Sequence, residues 1–298
     1  MNGFYRWLVL VLLLQCFGVV GRYYWSTNET ESDVYGLLYF DWGWSETFAQ
    51  YVDDFGALSC GVAAVLVVLT ASASLPLEGV WPAKGNAVGT SRDWFRPLVF
   101  RVSLAWIFVW MFLLALIFMV RGDRFSELSL GEHAVRYGLP LALLMFSLPQ
   151  ASFAGVWVLR VAAAATFIVH GYKAMQLYGP FTDLILISDA SWSALQIEQV
   201  TAERALWTIG LVDIVAGILL MAIRWGAVPV YMGCWGVITA LSRMTAFGVD
   251  AWPETLVRAA NGGVPFALVL AAVVFTPRGK LMYNRAPSPS PPPSEQCV

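Results

Sequence analysis

Blocks of apolar residues alternate with shorter polar stretches along the whole chain. Each block is roughly 20 residues long, the length at which an α-helix crosses the hydrocarbon core of a bilayer. The pattern predicts eight membrane-spanning helices, over residues 4–21, 55–75, 98–120, 134–149, 155–177, 205–223, 227–247 and 256–276. We therefore expect an all-α, polytopic membrane protein, with the block at 134–149 as its shortest span.

Composition agrees with a membrane protein. Of the 298 residues, 58% are hydrophobic and only 13% are charged, whereas about a quarter of a soluble domain is charged. This chain has too little polar material to cover a soluble domain of its length. The lipid bilayer is therefore the expected partner, and the lack of a basic surface or nucleic-acid motif argues against nucleic acid.

Cysteines and histidines are few and widely spaced. They are Cys16, Cys60, Cys234, Cys297, His133 and His170. No two cysteines form a C-x-x-C pair, and buried free cysteine behaves as a small hydrophobe. We expect neither a disulfide framework nor a metal site, and the sequence contains no haem, iron–sulfur, flavin or nucleotide motif.

The distribution of lysine and arginine predicts the orientation. Lys84, Arg92 and Arg96 lie in the connection 76–97, and three more basic residues follow the last span. Cytoplasmic segments are enriched in such residues, so both termini should be cytoplasmic, although Arg121, Arg124 and Arg136 then fall outside. The first block is either a retained helix or a signal peptide.

Two segments between or beyond the spans have a distinctive composition. The outer loop 22–54 is rich in tryptophan and tyrosine, which is typical of an aromatic belt in the headgroup layer; the alternative is a lid or a partner-binding surface. Residues 281–298 are proline-rich and should form a disordered cytoplasmic tail.

An internal repeat divides the chain. The pattern E-x-x-V-R followed by G-x-P-x-A-L occurs from Glu132 and again from Glu254, with three more residues between its two parts in the second copy. The repeat predicts two parallel four-helix bundles, a first half over 1–150 and a second over 151–280. Aligning the halves places Cys16 opposite His170 and Ser59 opposite Asp213, so the first half is the degenerate one.

Ionisable and polar residues inside spans are functional candidates because burying them in lipid is costly. In the second half these are His170, Lys173, Asp213, Arg243, Arg258 and Asn261. At ~1.5 Å per residue they fall in the outer half of the membrane. We expect them to converge on one outward-facing pocket in the second half.

The chemistry of this set suits a small, flat, redox-active ligand such as a quinone. His170 would carry the proton and Asp213 would be its partner, which makes these two the catalytic candidates. Lys173, Arg243, Arg258 and Asn261 would bind the ligand. In the purely structural alternative, His170 bonds a neighbouring helix, Asp213 pairs with Arg243, and Lys173 and Arg258 reach the interface.

The second half resembles the DoxX-like membrane proteins. The run R-V-A-A-A-A-T-F-I-V-H-G-Y-K over residues 160–173 is similar to their first-helix signature, and G-L-V-D-I-V-A-G over 210–217 is similar to the second, with aspartate in place of the usual glutamate. The resemblance covers about residues 155–276. It implies a four-helix unit in a cell (inner) membrane and, from the DoxD-type subunits, quinone chemistry.

Three functions follow as alternatives. The leading hypothesis is a membrane subunit of a quinone-linked oxidoreductase, acting with other membrane or periplasmic redox subunits. The second is a small-solute transporter whose two halves rock against each other. The third is a noncatalytic accessory or structural subunit of a larger membrane complex. The sequence does not determine the substrate.

Overall fold

The chain is helical throughout the part that a computed structural model describes, which is residues 3–25, 33–75, 94–122, 124–148, 151–223 and 225–274. These residues contain no β-strand. The predicted tail at 281–298 and the basic residues Lys84 and Arg92 lie outside the described residues.

Twelve α-helices occur within the described ranges. They are α1 (Gly3–Tyr24), α2 (Asp33–Gly36), α3 (Glu46–Ser74), α4 (Phe95–Arg121), α5 (Ser129–Glu132), α6 (Ala134–Phe146), α7 (Ser152–Met175), α8 (Gly179–Ser188), α9 (Gln199–Ala222), α10 (Ala227–Phe247), α11 (Trp252–Val257) and α12 (Ala259–Val274). π-Helical segments, Leu37–Asp41 and Asp189–Ser193, follow α2 and α8, and 3₁₀ segments, Ser126–Leu128 and Val249–Ala251, precede α5 and α11.

Five of the described helices, α1, α3, α4, α7 and α9, are long and apolar enough to cross a membrane. The number is six if α11 and α12, which meet at 50°, form one broken span. All eight predicted blocks are helical over most of their described length. However, α6 has only 13 residues, which is about 20 Å at ~1.5 Å per residue, and α10 carries Arg243 near its end. Eight spans therefore stay a prediction.

The outward faces of the long helices are apolar. Leu69 on α3, Val102 on α4 and Ile218 on α9 are exposed, as are many neighbouring aliphatic side chains. Monomeric soluble proteins rarely expose contiguous apolar faces of this extent to water. These faces indicate a membrane protein whose long helices are covered by lipid.

Helix α12 lies at the centre of the packing. It contacts α1, α6, α7 and α10, and its residues from Ala260 to Pro265 are all buried. Nearby, the rings of Phe4 and Tyr5 on α1 pack edge-on against Phe146 of α6, at 5.4 and 5.5 Å between centroids, a favourable aromatic geometry. The centre of the molecule therefore holds the helices that follow the two E-x-x-V-R patterns.

The order of elements after α1 recurs after α7. In each case a long helix is followed by a short helix, a π segment, two long helices, a 3₁₀ segment, a short helix and a final helix. Both short helices before the final helix bond back to the preceding long helix: Ser129 Oγ donates to the Ala115 carbonyl at 2.9 Å, and Thr255 Oγ1 donates to the Ala240 carbonyl at 3.0 Å.

Each final helix begins just after a break in the helical backbone. His133 separates α5 from α6, and Arg258 separates α11 from α12. In both breaks the N–H group three residues later donates to the break residue at 2.9 Å, from Arg136 and from Asn261. If the two halves are aligned at their helix breaks, His133 corresponds to Arg258 and Arg136 corresponds to Asn261. The E-x-x-V-R pattern instead aligns Arg136 with Arg258. The two alignments differ because the three additional residues of the second copy lie before its helix break.

A proline removes one backbone hydrogen bond near the start of both final helices. Pro140 and Pro265 lack an N–H, so the carbonyls four residues earlier, those of Arg136 and Asn261, lose their helical partner. Gln15 Nε2 on α1 donates to the Arg136 carbonyl at 3.0 Å. This bond fixes α1 against α6 at the level of the break.

Candidate functional site

A cavity of about 560 Å³ lies among α7, α8, α9 and α10 and reaches the break before α12. Most of its wall is apolar, and we call it the apolar cavity. It brings together five of the six residues singled out from the sequence, namely His170, Asp213, Arg243, Arg258 and Asn261. The sixth, Lys173, does not line it.

His170 occupies one wall of the apolar cavity. Its Nδ1 lies 2.8 Å from the Thr166 carbonyl, and because a carbonyl only accepts, Nδ1 carries the hydrogen of this bond. Its Nε2 lies 3.7 Å from Glu132 Oε1, and its ring stacks on Phe181 at 5.9 Å. The carboxylate beside His170 is therefore that of Glu132, and not that of Asp213 as expected from the sequence.

Asp213 is buried on α9 and accepts two hydrogen bonds from α10. Tyr231 Oη donates to Oδ1 at 3.0 Å, and Trp235 Nε1 donates to Oδ2 at 3.1 Å. Within the described residues Asp213 forms no ion pair with Arg243, which was the structural alternative. Its two oxygens are instead held by two aromatic side chains one helical turn apart.

The first half contains a reduced version of this arrangement. Ser59, expected opposite Asp213, accepts a hydrogen bond from Trp106 Nε1 on α4 at 2.9 Å. Trp110 lies one turn further along α4, as Trp235 follows Tyr231 on α10. Its buried Nε1 has no hydrogen-bond partner among the described residues, since a single hydroxyl replaces the carboxylate. The first half therefore has an aromatic pair on α4 without an acidic acceptor.

Helices α7 and α9 pack closely beside these residues. A Cβ built on Gly210 would lie 2.5 Å from the Gly171 carbonyl oxygen, and the reverse distance is also 2.5 Å. Both glycines lie in the two segments, 160–173 and 210–217, that were singled out from the sequence. Their small size lets His170 on α7 and Asp213 on α9 line the same cavity.

Lys173 belongs to a second polar environment. Its Nζ lies 2.9 Å from Glu132 Oε2 and 4.3 Å from the centre of the Tyr178 ring. The residue is 3% exposed, so its side chain does not extend to the surface as the snorkelling alternative required. Lys173 is a buried ion-pair partner and not a ligand of the apolar cavity.

A second cavity, of about 290 Å³, lies between the two halves, and we call it the charged cavity. Its ionisable lining residues are Arg22, Glu132, His133, Arg136, His170, Lys173, Arg243, Glu254 and Arg258, together with two tyrosines. His170, Arg243 and Arg258 line both cavities. Five of the others, Arg22, Glu132, His133, Arg136 and Glu254, were not predicted as site residues.

The repeated acid and arginine were the signal that could have identified this cavity. The sequence shows that Glu132 and Arg136 recur as Glu254 and Arg258, but not that the two copies face each other. The ring of His133 packs at a tilt against that of Phe118, with 5.5 Å between ring centres. The polar centre therefore draws on both halves and not on the second alone.

A loop that is held together by the Asp189 carboxylate closes one side of the apolar cavity. Asp189 accepts hydrogen bonds from the Ser193 hydroxyl, from the Leu195 N–H at 3.0 Å and from the Ile197 N–H at 2.8 Å. Ser193 and Ile197 also line the cavity, as does Trp192. One carboxylate thus holds the segment 189–197 as a wall.

Part of the aromatic outer loop is also described. Trp42 and Trp44 are exposed and contact each other, with 5.7 Å between ring centres. Asp41 forms an ion pair with Arg121 at 2.7 Å, which joins the loop to the end of α4. Neither cavity is lined by these residues, and the choice between an aromatic belt and a partner surface stays a prediction.

Comparison with family models, with curated proteins and with solved structures gave no match for the chain.

Proposed function

We propose that this protein is the quinone-binding membrane subunit of an oxidoreductase, with the quinone ring in the apolar cavity. One observation carries the proposal: Arg243 and Asn261 line the cavity, and the buried atoms Arg243 Nε and Asn261 Oδ1 have no hydrogen-bond partner among the described residues. One is a donor and the other an acceptor. A quinone oxygen accepts a hydrogen bond, and a quinol hydroxyl donates one, so the two atoms suit both forms.

The rest of the cavity suits a flat ring with an apolar tail. Its volume of about 560 Å³ lies within the ~300–1,000 Å³ of ligand pockets, which are mostly apolar with few placed polar groups. Phe181, Trp192 and Trp235 line it, and aromatic faces stack on flat rings. The polar contacts would orient the ring and the aliphatic wall would accept the tail.

A bound quinone supplies a carrier of two electrons and two protons, and His170 is placed to move one of these protons. Its Nδ1 is committed to the Thr166 carbonyl, so Nε2 is the nitrogen that can exchange a proton. Glu132 beside Nε2 stabilises the charged imidazole. Asp213 is the second candidate proton carrier, because it lines the cavity and its carboxylate is held by Tyr231 and Trp235.

The membrane arrangement forms part of the proposal. We infer eight spans in two parallel four-helix halves, with both termini cytoplasmic in a cell (inner) membrane. The recurring element order supports two halves, and contacts of α1, α3, α4 and α6 among themselves and of α7, α9, α10 and α12 among themselves are compatible with it. The resemblance of residues 160–173 to the DoxX-like signature favours a quinone over other flat ligands.

The proposal is tested by titrating the purified full-length chain in nanodiscs with decylubiquinone. Tryptophan fluorescence should be quenched saturably, because Trp192 and Trp235 line the cavity. Ser242→Leu adds bulk inside the cavity and should weaken binding about tenfold, the effect of losing ~1.4 kcal/mol.

Thr208→Leu is the matched control. Thr208 is exposed on α9, and its hydroxyl, like that of Ser242, bonds its own helix. This variant should bind like the natural protein and so reports quinone that merely partitions into lipid. Equal affinity of Ser242→Leu and the natural chain would overturn the proposal.

A transporter is the second candidate, and the paired helix breaks favour it. Interrupted helices in corresponding positions of two repeats are a common feature of transporter binding sites, and the breaks at His133 and Arg258 both border the charged cavity. Uptake of a radiolabelled anion such as sulfate into proteoliposomes, abolished by Arg136→Gln, would favour this function over the quinone subunit.

A further inference from the structure

The charged cavity contains more positive than negative side chains. Its five cationic residues are Arg22, Arg136, Lys173, Arg243 and Arg258, and its two carboxylates are Glu132 and Glu254. With both histidines neutral, three positive charges remain uncompensated by the lining of the described structure. The excess indicates that the cavity is built for an anion.

The ion pairs show which cations remain without a carboxylate. Glu254 pairs with Arg22 at 2.9 Å and with Arg258 at 2.7 Å. Glu132 pairs with Lys173 at 2.9 Å. Both carboxylates of the cavity are therefore already engaged by residues other than Arg136 and Arg243.

The two remaining guanidinium groups also have unsatisfied donors. The Nε atoms of Arg136 and Arg243 are buried and lack hydrogen-bond partners within the described ranges. A buried donor without a partner costs free energy, and more so when it is charged. The planar guanidinium fork matches the paired oxygens of a carboxylate or of a tetrahedral oxyanion.

The backbone dipoles of two helices also favour an anion in the charged cavity. Arg136 lies in the first turn of α6, a helix of 13 residues, and Arg258 is the break residue directly before α12, a helix of 16 residues. The amino-terminal ends of helices carry partial positive charge and favour anions. The amino-terminal ends of α6 and α12 therefore add to the positive potential that the arginine and lysine side chains create in the charged cavity.

We propose that the charged cavity binds a small oxyanion, either a carboxylate or a tetrahedral inorganic anion, between Arg136 and Arg243. This site goes beyond the quinone pocket, because Arg136 lines only the charged cavity. Arg243 borders both cavities, and its single Nε–H can serve the quinone oxygen or the anion but not both at once, so the two ligands would compete for this donor. The anion completes the hydrogen bonding of the two guanidinium groups that the protein leaves unpaired.

The test uses the full-length chain in a neutral detergent and measures thermal unfolding against sulfate, phosphate, acetate and succinate. Chloride at matched ionic strength is the reference. Tm should rise saturably with at least one oxyanion and not with chloride, because a ligand that binds only the folded state stabilises it. Responses to sulfate or phosphate identify a tetrahedral anion, and responses to acetate or succinate identify a carboxylate.

Substitutions locate the site. Arg136→Gln should weaken the anion affinity about tenfold, as expected for one lost charge-assisted hydrogen bond. Arg121→Gln, which removes a paired arginine that lines neither cavity, should leave the response unchanged. Quinone binding by Arg136→Gln should also be unchanged, which separates this proposal from the quinone pocket.

Two conservative variants keep the proposal testable if Arg136→Gln does not fold. Arg136→Lys and Arg243→Lys keep the charge but lose the paired donors, so each should bind the anion more weakly by calorimetry while unfolding cooperatively. The proposal is overturned if no oxyanion raises Tm above the chloride reference, or if these variants bind as tightly as the natural chain.

Discussion

Lys173 Nζ lies 2.9 Å from Glu132 Oε2, and the other oxygen of the same carboxylate lies 3.7 Å from His170 Nε2. Glu132 immediately precedes the first helix break, while both partners lie on α7. One carboxylate therefore links the end of the first half to the first helix of the second half. It lines the charged cavity, while its partner His170 lines both cavities.

Glu132→Gln should destabilise the protein by about 3 kcal/mol, because removing one partner of a buried ion pair leaves the other charge uncompensated. Lys173 is 3% exposed and cannot recover that loss by solvation. The free energy of unfolding in mixed detergent–SDS micelles measures the effect. The double variant Glu132→Gln with Lys173→Met should recover most of the loss, and a single variant as stable as the natural chain would contradict this account of the pair.

Asp213→Ala should cost about 2 kcal/mol, because two buried donors, Tyr231 Oη and Trp235 Nε1, then lack their acceptor. Ser59→Ala is the matched change in the first half and should cost less, about 1 kcal/mol, since Ser59 serves the single donor Trp106. Unfolding in the same micelles gives both values. Equal losses would show that the carboxylate contributes no more than the hydroxyl.

Gly210→Ala should destabilise the protein by about 2 kcal/mol, because the new methyl group meets the Gly171 carbonyl at 2.5 Å and forces α7 away from α9. Gly179→Ala is the control, since a Cβ there has no neighbour within 4 Å. Displacement of α7 should also weaken quinone binding, measured by fluorescence quenching. Unchanged stability and binding in Gly210→Ala would mean that the contact is not required.

The loop held by Asp189 should open at acidic pH. The Ser193 hydroxyl, and after it the Ile197 and Leu195 N–H groups, hold the pKa of Asp189 below its ordinary 3.8. A lowered folded-state pKa contributes stability that is present above the ordinary value and lost as the pH falls through the lowered one. The protection of the Leu195 and Ile197 amides, measured as exchange relative to the intrinsic rate at each pH, should therefore fall below about pH 4, the ordinary range of aspartate.

Asp189→Asn removes the titrating group, so exchange at these two amides should be faster at neutral pH and should no longer depend on acid beyond the intrinsic chemistry. Asp183→Asn, in the preceding helix α8 and outside the hydrogen-bonded loop, is the control and should keep the natural profile. A natural-type profile in Asp189→Asn would show that another group holds the loop.

The hydropathy pattern predicted most of the secondary structure. Each predicted block is helical over most of its described length, because the length of an apolar run and the absence of breakers are local properties. The pattern could not place the breaks at His133 and Arg258. Those positions follow from packing of the short helices α5 and α11 on their neighbours, through Ser129 and Thr255.

The candidate residues were chosen because an ionisable side chain inside a membrane span is costly to bury. That cost does not show which other side chains each candidate contacts. Five of them line one cavity, but the expected pair of His170 and Asp213 is replaced by His170 with Glu132 and by Asp213 with two aromatic donors. Glu132 was read only as part of a repeat, since it lies at the edge of an apolar block where a charge is inexpensive. Its importance depends on the helix that packs against it.

The sequence by itself determined that this is a helical protein rich in membrane-length apolar segments, with polar residues concentrated near two similar E-x-x-V-R patterns. Those properties are local, because hydropathy and the cost of a buried charge depend on the residue and its near neighbours. Only the tertiary structure decided that the two patterns face each other across one cavity and that Arg136 and Arg243 are left without carboxylates. Which charges meet depends on how the helices pack, and small residues such as Gly171 and Gly210 control that packing without carrying any charge themselves.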